Sequence, residues 1–239
     1  MRIILIILAV VTAIAMSATA QKADAQTTYS DSPEWWASAS ALTPELWNTA
    51  QHRDVLRSNF TILGVHLDDA VLEKAATRLG AAAIVASGDA STAQAEACYV
   101  SKPDEGNVHL VFARGEIDQR FTLFVGGPDW DTSTKCVATE LISRNVTTAS
   151  GIHLGQTPAQ VVAILGRPNK QTKDMLIYVF ALRKRTDPAK LRKGLKANTQ
   201  MSDADFHANY DFYDWNASFV ARFVDSRLVY FSAATQESY

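Results

Sequence analysis

One short pattern is written twice in this chain. "LGVHLDDAVLEKAATRLG" runs from Leu63 to Gly80, and "SGIHLGQTPAQVVAILG" from Ser150 to Gly166. Each gives glycine, an apolar residue, histidine and leucine, then a brief amphipathic run closed by Leu-Gly. In the second copy Thr157 is an N-cap, Pro158 suits the first helical position, and Gln160 completes a T-x-x-Q capping box. Val161, Ile164 and Leu165 share one helical face. Gly166 ends the helix, and Pro168 forbids its continuation. In the first copy Asp68 or Asp69 caps, Val71, Leu72, Ala75 and Leu79 form the apolar face, and Gly80 terminates. The spacing predicts two short helices, each with its own start and stop.

The segments after the two helices also match in kind. After the second copy, "MLIYVFAL" (Met175 to Leu182) is a continuous apolar run expected of a buried strand. "ASFVARFV" alternates, with Phe219, Ala221 and Phe223 on one side and Arg222 on the other, and "VDSR" turns it into "RLVYFSA". After the first copy come "ACYVS" with Cys98, "NVHLVFA" with Val108, Leu110 and Phe112 on one face, and "RFTLFVGG" with Phe121, Leu123 and Val125. One short helix on three strands makes a poor core. Two such units packed together or sharing a sheet remedy that. The expected fold is α+β: two tandem helix–strand–strand–strand repeats, residues 61–148 and 149–239, with short helices on antiparallel sheets.

The second copy, "GIHLGQTPAQVVAILGRP", resembles the G-φ-x-L-G-x-T-x-x-x-V-x-x-x-L-G-x-P signature of small envelope modules of the BamE (SmpA/OmlA) type. Their architectural relatives include the tandem-repeat β-lactamase inhibitor protein. The resemblance covers Ser150 to Lys170 well and Leu63 to Ala82 weakly, where Asp68 replaces the signature glycine. It implies helices paired with an antiparallel sheet, and binding work: outer-membrane assembly or enzyme inhibition.

The first residues set an expected compartment. "MRIILIILAVVTAIAMSATAQ" has Arg2, an apolar run from Ile3 to Met16, and small residues at Ala18 and Ala20. That is a signal-peptide pattern over residues 1–20, with an apolar run too short to span a bilayer. No cysteine lies nearby for lipid attachment, so the expectation is a periplasmic or secreted protein. Residues 21–60 form an N-terminal segment whose short helix starts at Thr43-Pro44-Glu45. In an oxidising compartment the two cysteines, Cys98 and Cys136, are expected to form a disulfide. Hydrophobic residues make up 47% of the chain, as in a globular protein, and the net charge of −2 gives no reason to expect nucleic acid.

Catalytic motifs are absent from the sequence: no G-x-S-x-G, H-E-x-x-H, Walker A, G-x-G-x-x-G or C-x-x-C. Neither catalytic residues, nor a cofactor, nor a metal site are expected. His66 and His153 hold equivalent places, yet no second ligand recurs beside either, so each is expected to be an exposed or hydrogen-bonded residue on a short strand entering the helix. Asp129 with Asp131, and Asp203 with Asp205, suit turns or caps better than a calcium loop.

Two stretches look like contact surfaces. Arg183, Lys184, Arg185, Lys190, Arg192, Lys193 and Lys196 crowd an insertion at 183–196 that carries only Asp187 as counter-charge. Next comes "DADFHANYDFYDW", which mixes Asp203, Asp205, Asp211 and Asp214 with Phe206, Tyr210, Phe212, Tyr213 and Trp215. Trp35, Trp36 and Trp47 are large anchors in the N-terminal segment, which is expected to dock on the sheet. The partner-binding candidates are therefore Arg183, Lys184, Arg185, Arg192, Lys193, Tyr210, Tyr213, Trp215, Trp35 and Trp36. The expected function is non-enzymatic binding of another envelope protein. Anionic lipid or lipopolysaccharide is a second partner class for the basic loop. The alternatives are a small-molecule or lipid-binding protein, and an enzyme with a histidine-based site.

Overall fold

A computed structural model describes residues 42–68, 70–87, 93–116, 118–125, 136–187, 189 and 202–239. The expected signal peptide, Trp35, Trp36, the Asp129/Asp131 pair, Arg192 and Lys193 lie outside the described residues. The helices are α1 (Pro44–Trp47), α2 (Val71–Leu79), α3 (Pro158–Leu165) and α4 (Asp203–Tyr210). The strands before α3 are β1 (Thr61–Ile62), β2 (Val65–His66), β3 (Ile84–Ser87), β4 (Gln94–Val100), β5 (Val108–Gly115), β6 (Asp118–Val125) and β7 (Val137–Ala138). Those after it are β8 (Lys170–Gln171), β9 (Met175–Arg185), β10 (Phe212–Val224) and β11 (Arg227–Ser238).

The helices begin and end for local reasons. At α3 the Thr157 hydroxyl accepts the Gln160 N–H at 3.3 Å, and the Gln160 side chain accepts the Thr157 N–H at 2.8 Å. At α2 the N-cap position falls on Ala70, which has no side-chain cap of its own. The Asp68 carboxylate accepts the Ala70 N–H at 3.1 Å instead. Both helices stop at glycine with positive φ, 100° at Gly80 and 80° at Gly166, backbone that a side chain would strain. Val71, Leu72, Ala75 and Leu79 are all buried, as the periodicity predicts. In α3 Val161 and Leu165 are buried, while Ile164 is only half-buried at the edge of the core.

Each of α2 and α3 leads into four antiparallel strands rather than three. The extra ones, β3 and β8, are exposed and too short to carry a burial period. All eight enter one sheet in the order β3-β4-β5-β6-β11-β10-β9-β8, with β7 pairing in parallel along β4. The sheet thus runs outward in opposite directions from a central seam where β6 pairs β11, with Leu123 opposite Phe231 and Phe121 opposite Ala233.

Alternation splits the sheet into two faces. Tyr99, Leu110, Phe112, Phe121, Leu123, Phe231, Phe219 and Tyr178 join α2 and α3 in the main core. Phe219 stacks on Phe231 at 5.5 Å, and Phe121 meets Phe231 edge-on at 6.1 Å. On the opposite face Leu46 of α1 is buried against Ile177, Val179 and Val220, with Trp47 packed beside it. This is the docking expected of the N-terminal helix. Further along that face Cys98, Val111, Phe124 and Tyr230 cluster around the Cys98–Cys136 disulfide. The bridge is the one expected from the sequence. It ties the segment entering β7 to β4.

The two Gly-apolar-His-Leu stretches sit in a small assembly beside the main sheet. β1 and β2 form a hairpin, Thr147 bridges His153, and Ile62 pairs with Thr148 to join the two ribbons. Val65, Leu67, Ile152 and Leu154 are buried, which leaves His66 and His153 half-buried. The repeated tetrapeptide is therefore an anchor with two apolar pegs flanking a histidine.

Candidate partner-docking surface

The basic run begins on β9 and splits at once between two faces. β10 pairs β9 with Asp214 opposite Arg183, Tyr213 opposite Lys184 and Phe212 opposite Arg185. Directly opposed residues share a face. Arg183, Arg185, Phe212 and Asp214 therefore stand together on the face away from α2 and α3. Lys184 and Tyr213 turn to the helix side.

The exposed group is a cation–aromatic patch. The Arg183 guanidinium lies 5.5 Å from the Phe212 ring centroid, and Phe212 is 46% exposed. Arg183 and Arg185 are both exposed. A guanidinium resting on an aromatic face keeps its donors free for a carboxylate or phosphate.

On the other face Lys184 is engaged. Its ammonium sits 3.6 Å from the centroid of Trp215, which is only 8% exposed and meets Phe60 edge-on at 5.8 Å. Burial holds the Lys184 ammonium below the usual lysine range, against the pull of Asp54 and Glu237. Trp215 belongs to the core, in line with Ala217 and Phe219 on the same strand, and that alternation is visible in the sequence.

α4 packs an aromatic cluster at the same end. Ser202 caps it, accepting the Asp205 N–H at 3.2 Å. Phe206 is buried and lies 5.0 Å from Tyr210, which in turn lies 5.6 Å from Tyr239; Tyr213 lies 5.9 Å from Tyr239. Tyr210 and Tyr213 are half-buried and Tyr239 is 53% exposed. The Thr186 N–H donates to the Asp211 carbonyl at 2.8 Å and closes the base of the excursion between β9 and β10. The structure thus brings Arg183, Arg185, Tyr210 and Tyr213 to one end of the sheet. Phe206 and Phe212, from the same acidic–aromatic stretch of the sequence, complete the group with Tyr239, which no motif or spacing singles out.

The histidines are held by local bonds. His66 Nδ1 donates to the Phe60 carbonyl at 3.0 Å, and burial with nearby Arg57 keeps its ring below the usual histidine pKa. His153 Nδ1 donates to the Leu154 carbonyl at 2.8 Å. His109 stacks on Phe124 at 5.1 Å. Among the described residues no three His, Cys, Asp or Glu side chains converge to hold a metal ion. A surface hollow of about 560 Å³ lies beside α2, lined by Leu63, Gly64, Val65, Glu73, Lys74, Thr77 and Arg78, and it is open to solvent. No described helix is long and apolar enough to cross a membrane. Compared with protein-family models, curated proteins and solved structures, the chain finds no match.

Proposed function

We propose that this chain is an exported, disulfide-bonded, non-enzymatic module of the bacterial cell envelope that works by binding another protein, as an assembly accessory or an enzyme inhibitor. In this reading residues 1–20 are a signal peptide and 21–60 an N-terminal docking segment. Residues 61–148 and 149–239 are two copies of one BamE-like unit. The sheet order, which retraces its steps from the β6–β11 seam, and the pairing of Ile62 with Thr148 support the duplication. The Cys98–Cys136 bridge suits an oxidising compartment.

The observation that carries the binding role is the patch of Arg183, Arg185 and Phe212. A phenylalanine left 46% exposed between two arginines is the composition of an interface anchor. It selects a partner presenting carboxylates around an apolar contact. The hollow beside α2 is open to solvent, whereas small-molecule sites enclose most of their ligand.

The test is to immobilise the purified protein and an Arg183→Ala/Arg185→Ala/Phe212→Ser variant, and to expose both to envelope extract at low salt. A discrete protein retained by the wild type and lost by the variant, with unchanged melting curves, is the expected result. Retention of the same proteins by both sinks the assignment of this surface. Lys184→Ala is the contrasting substitution, since it strips a cation from the Trp215 ring and so lowers stability.

A further inference from the structure

The sheet order ends in β3 on one side, with β7 next to it along β4, and in β8 on the other, and the two sides are finished differently. The β8 side is sealed. β8 is two residues long, carries Lys170 and comes just after Pro168. Beyond it, the exposed edge of β9 is capped. The Gln51 N–H donates to Val179 at 2.9 Å, and the Ala181 N–H donates to Gln51 at 3.2 Å. The Val179 N–H donates to the Asn169 side chain at 2.9 Å, and His52 Nδ1 donates to the Ala181 carbonyl at 2.9 Å. Lysine, proline, brevity and covering groups are the usual devices that keep a sheet edge from recruiting another strand.

The β3 side, though also short at four residues, has no lysine, proline or covering group among the described residues. Among the described residues β3 pairs only with β4, from Ile84 opposite Ala97 to Ser87 opposite Gln94. From Gly80 to Ser87 the sequence is "GAAAIVAS", without a charge or a proline. Ile84 is 53% exposed and Val85 37%, and Ala86 is exposed beside them. A row of unpaired N–H and C=O groups flanked by exposed β-branched side chains is a template for one more strand.

From this contrast we infer that the open edge of β3 pairs antiparallel with β3 of a second copy of the chain, joining two sheets into one. A twofold axis through such a pair sets the residue on the axis opposite its own copy, so a charge there would meet its own like. The uncharged stretch from Ala81 to Ser87 meets that condition. With the axis at Val85, Val85 faces Val85, and Ile84 faces Ala86, a large residue against a small one. The charge opposite Val85 on β4 is Glu96, already engaged with Arg120 at 3.6 Å and little exposed. The seam between β6 and β11 shows the same kind of antiparallel pairing already closing the sheet within one chain. An edge this short buries little area, below about 1,200 Å², so the dimer is weak and concentration-dependent.

Sedimentation of the purified protein across its soluble concentration range tests this, with no dependence on the basic patch. The wild type is expected to pass from monomer to dimer as concentration rises. Val85→Lys and Val85→Glu, each alone, place like charges across the axis and should weaken the dimer at least about tenfold. An equimolar mixture of the two variants should restore it. Both variants keep an exposed position; Val85→Lys should melt with the wild type, and Val85→Glu, which sets a carboxylate opposite Glu96, slightly below it. A wild type that remains monomeric throughout, as it would if the edge served a different partner, overturns the proposal. So does a dimer that both single variants leave intact.

Discussion

The Arg120 guanidinium lies 3.6 Å from the Glu96 carboxylate on the sheet face away from α2 and α3, with the two side chains 17% and 15% exposed. Burial raises the Glu96 pKa above its ordinary value of 4.5, outweighing the attraction of Arg120 and the hydrogen bond from Gln94. The folded chain therefore holds this proton more tightly than the unfolded chain does. Between 4.5 and the raised value, folding takes up a proton, and Glu96's contribution to stability falls as pH rises through that window. Glu96→Gln should flatten the stability slope there, measured by urea titration at a series of pH values. An unchanged slope would show that Glu96 does not set it.

Reduction of the Cys98–Cys136 bridge should destabilise the fold. The two cysteines are separated by 38 residues, for which loop-closure entropy gives about 3 to 4 kcal/mol. In a chain of this size that lowers the melting temperature by roughly 10 °C. Calorimetry with and without reductant reads it directly, and coincident melts would remove the bridge from the stability of the fold.

Thr157→Ala should cost about 1 kcal/mol, because it removes the hydroxyl that accepts the Gln160 N–H at 3.3 Å. Thr157→Ser keeps that acceptor and should lie close to wild type. Denaturant midpoints of the three proteins provide the comparison, and equal losses for alanine and serine would exclude the cap as the cause.

Where one residue type repeats with a clear period, the sequence alone predicts the structure well. The buried row of Val71, Leu72, Ala75 and Leu79, the run from Leu176 to Phe180 and the alternation of Phe219, Ala221 and Phe223 all appear as their spacing requires. β3 and β8 escape sequence reasoning because one is an alanine-rich edge and the other two exposed polar residues. Neither has an apolar face to leave a period. Trp215 looks like a surface anchor beside its acidic neighbours Asp211 and Asp214. Its place two residues before Ala217 and four before Phe219 puts it in the core instead, a signal that outranks local polarity. Phe212 and Arg183 cannot be matched from sequence at all, since the excursion between β9 and β10 hides the register that brings them together.

The seam at β6 also dictates when the molecule can finish assembling. The Thr122 hydroxyl bonds Ser232 at 3.2 Å across 110 residues, and β11 is the final strand in the sequence. A nascent chain that has made only β3 to β6 must leave β6 waiting, with Phe121 and Leu123 uncovered. Closure of this seam therefore waits for β11 and is slow, since contacts so far apart in sequence are entropically costly to bring together.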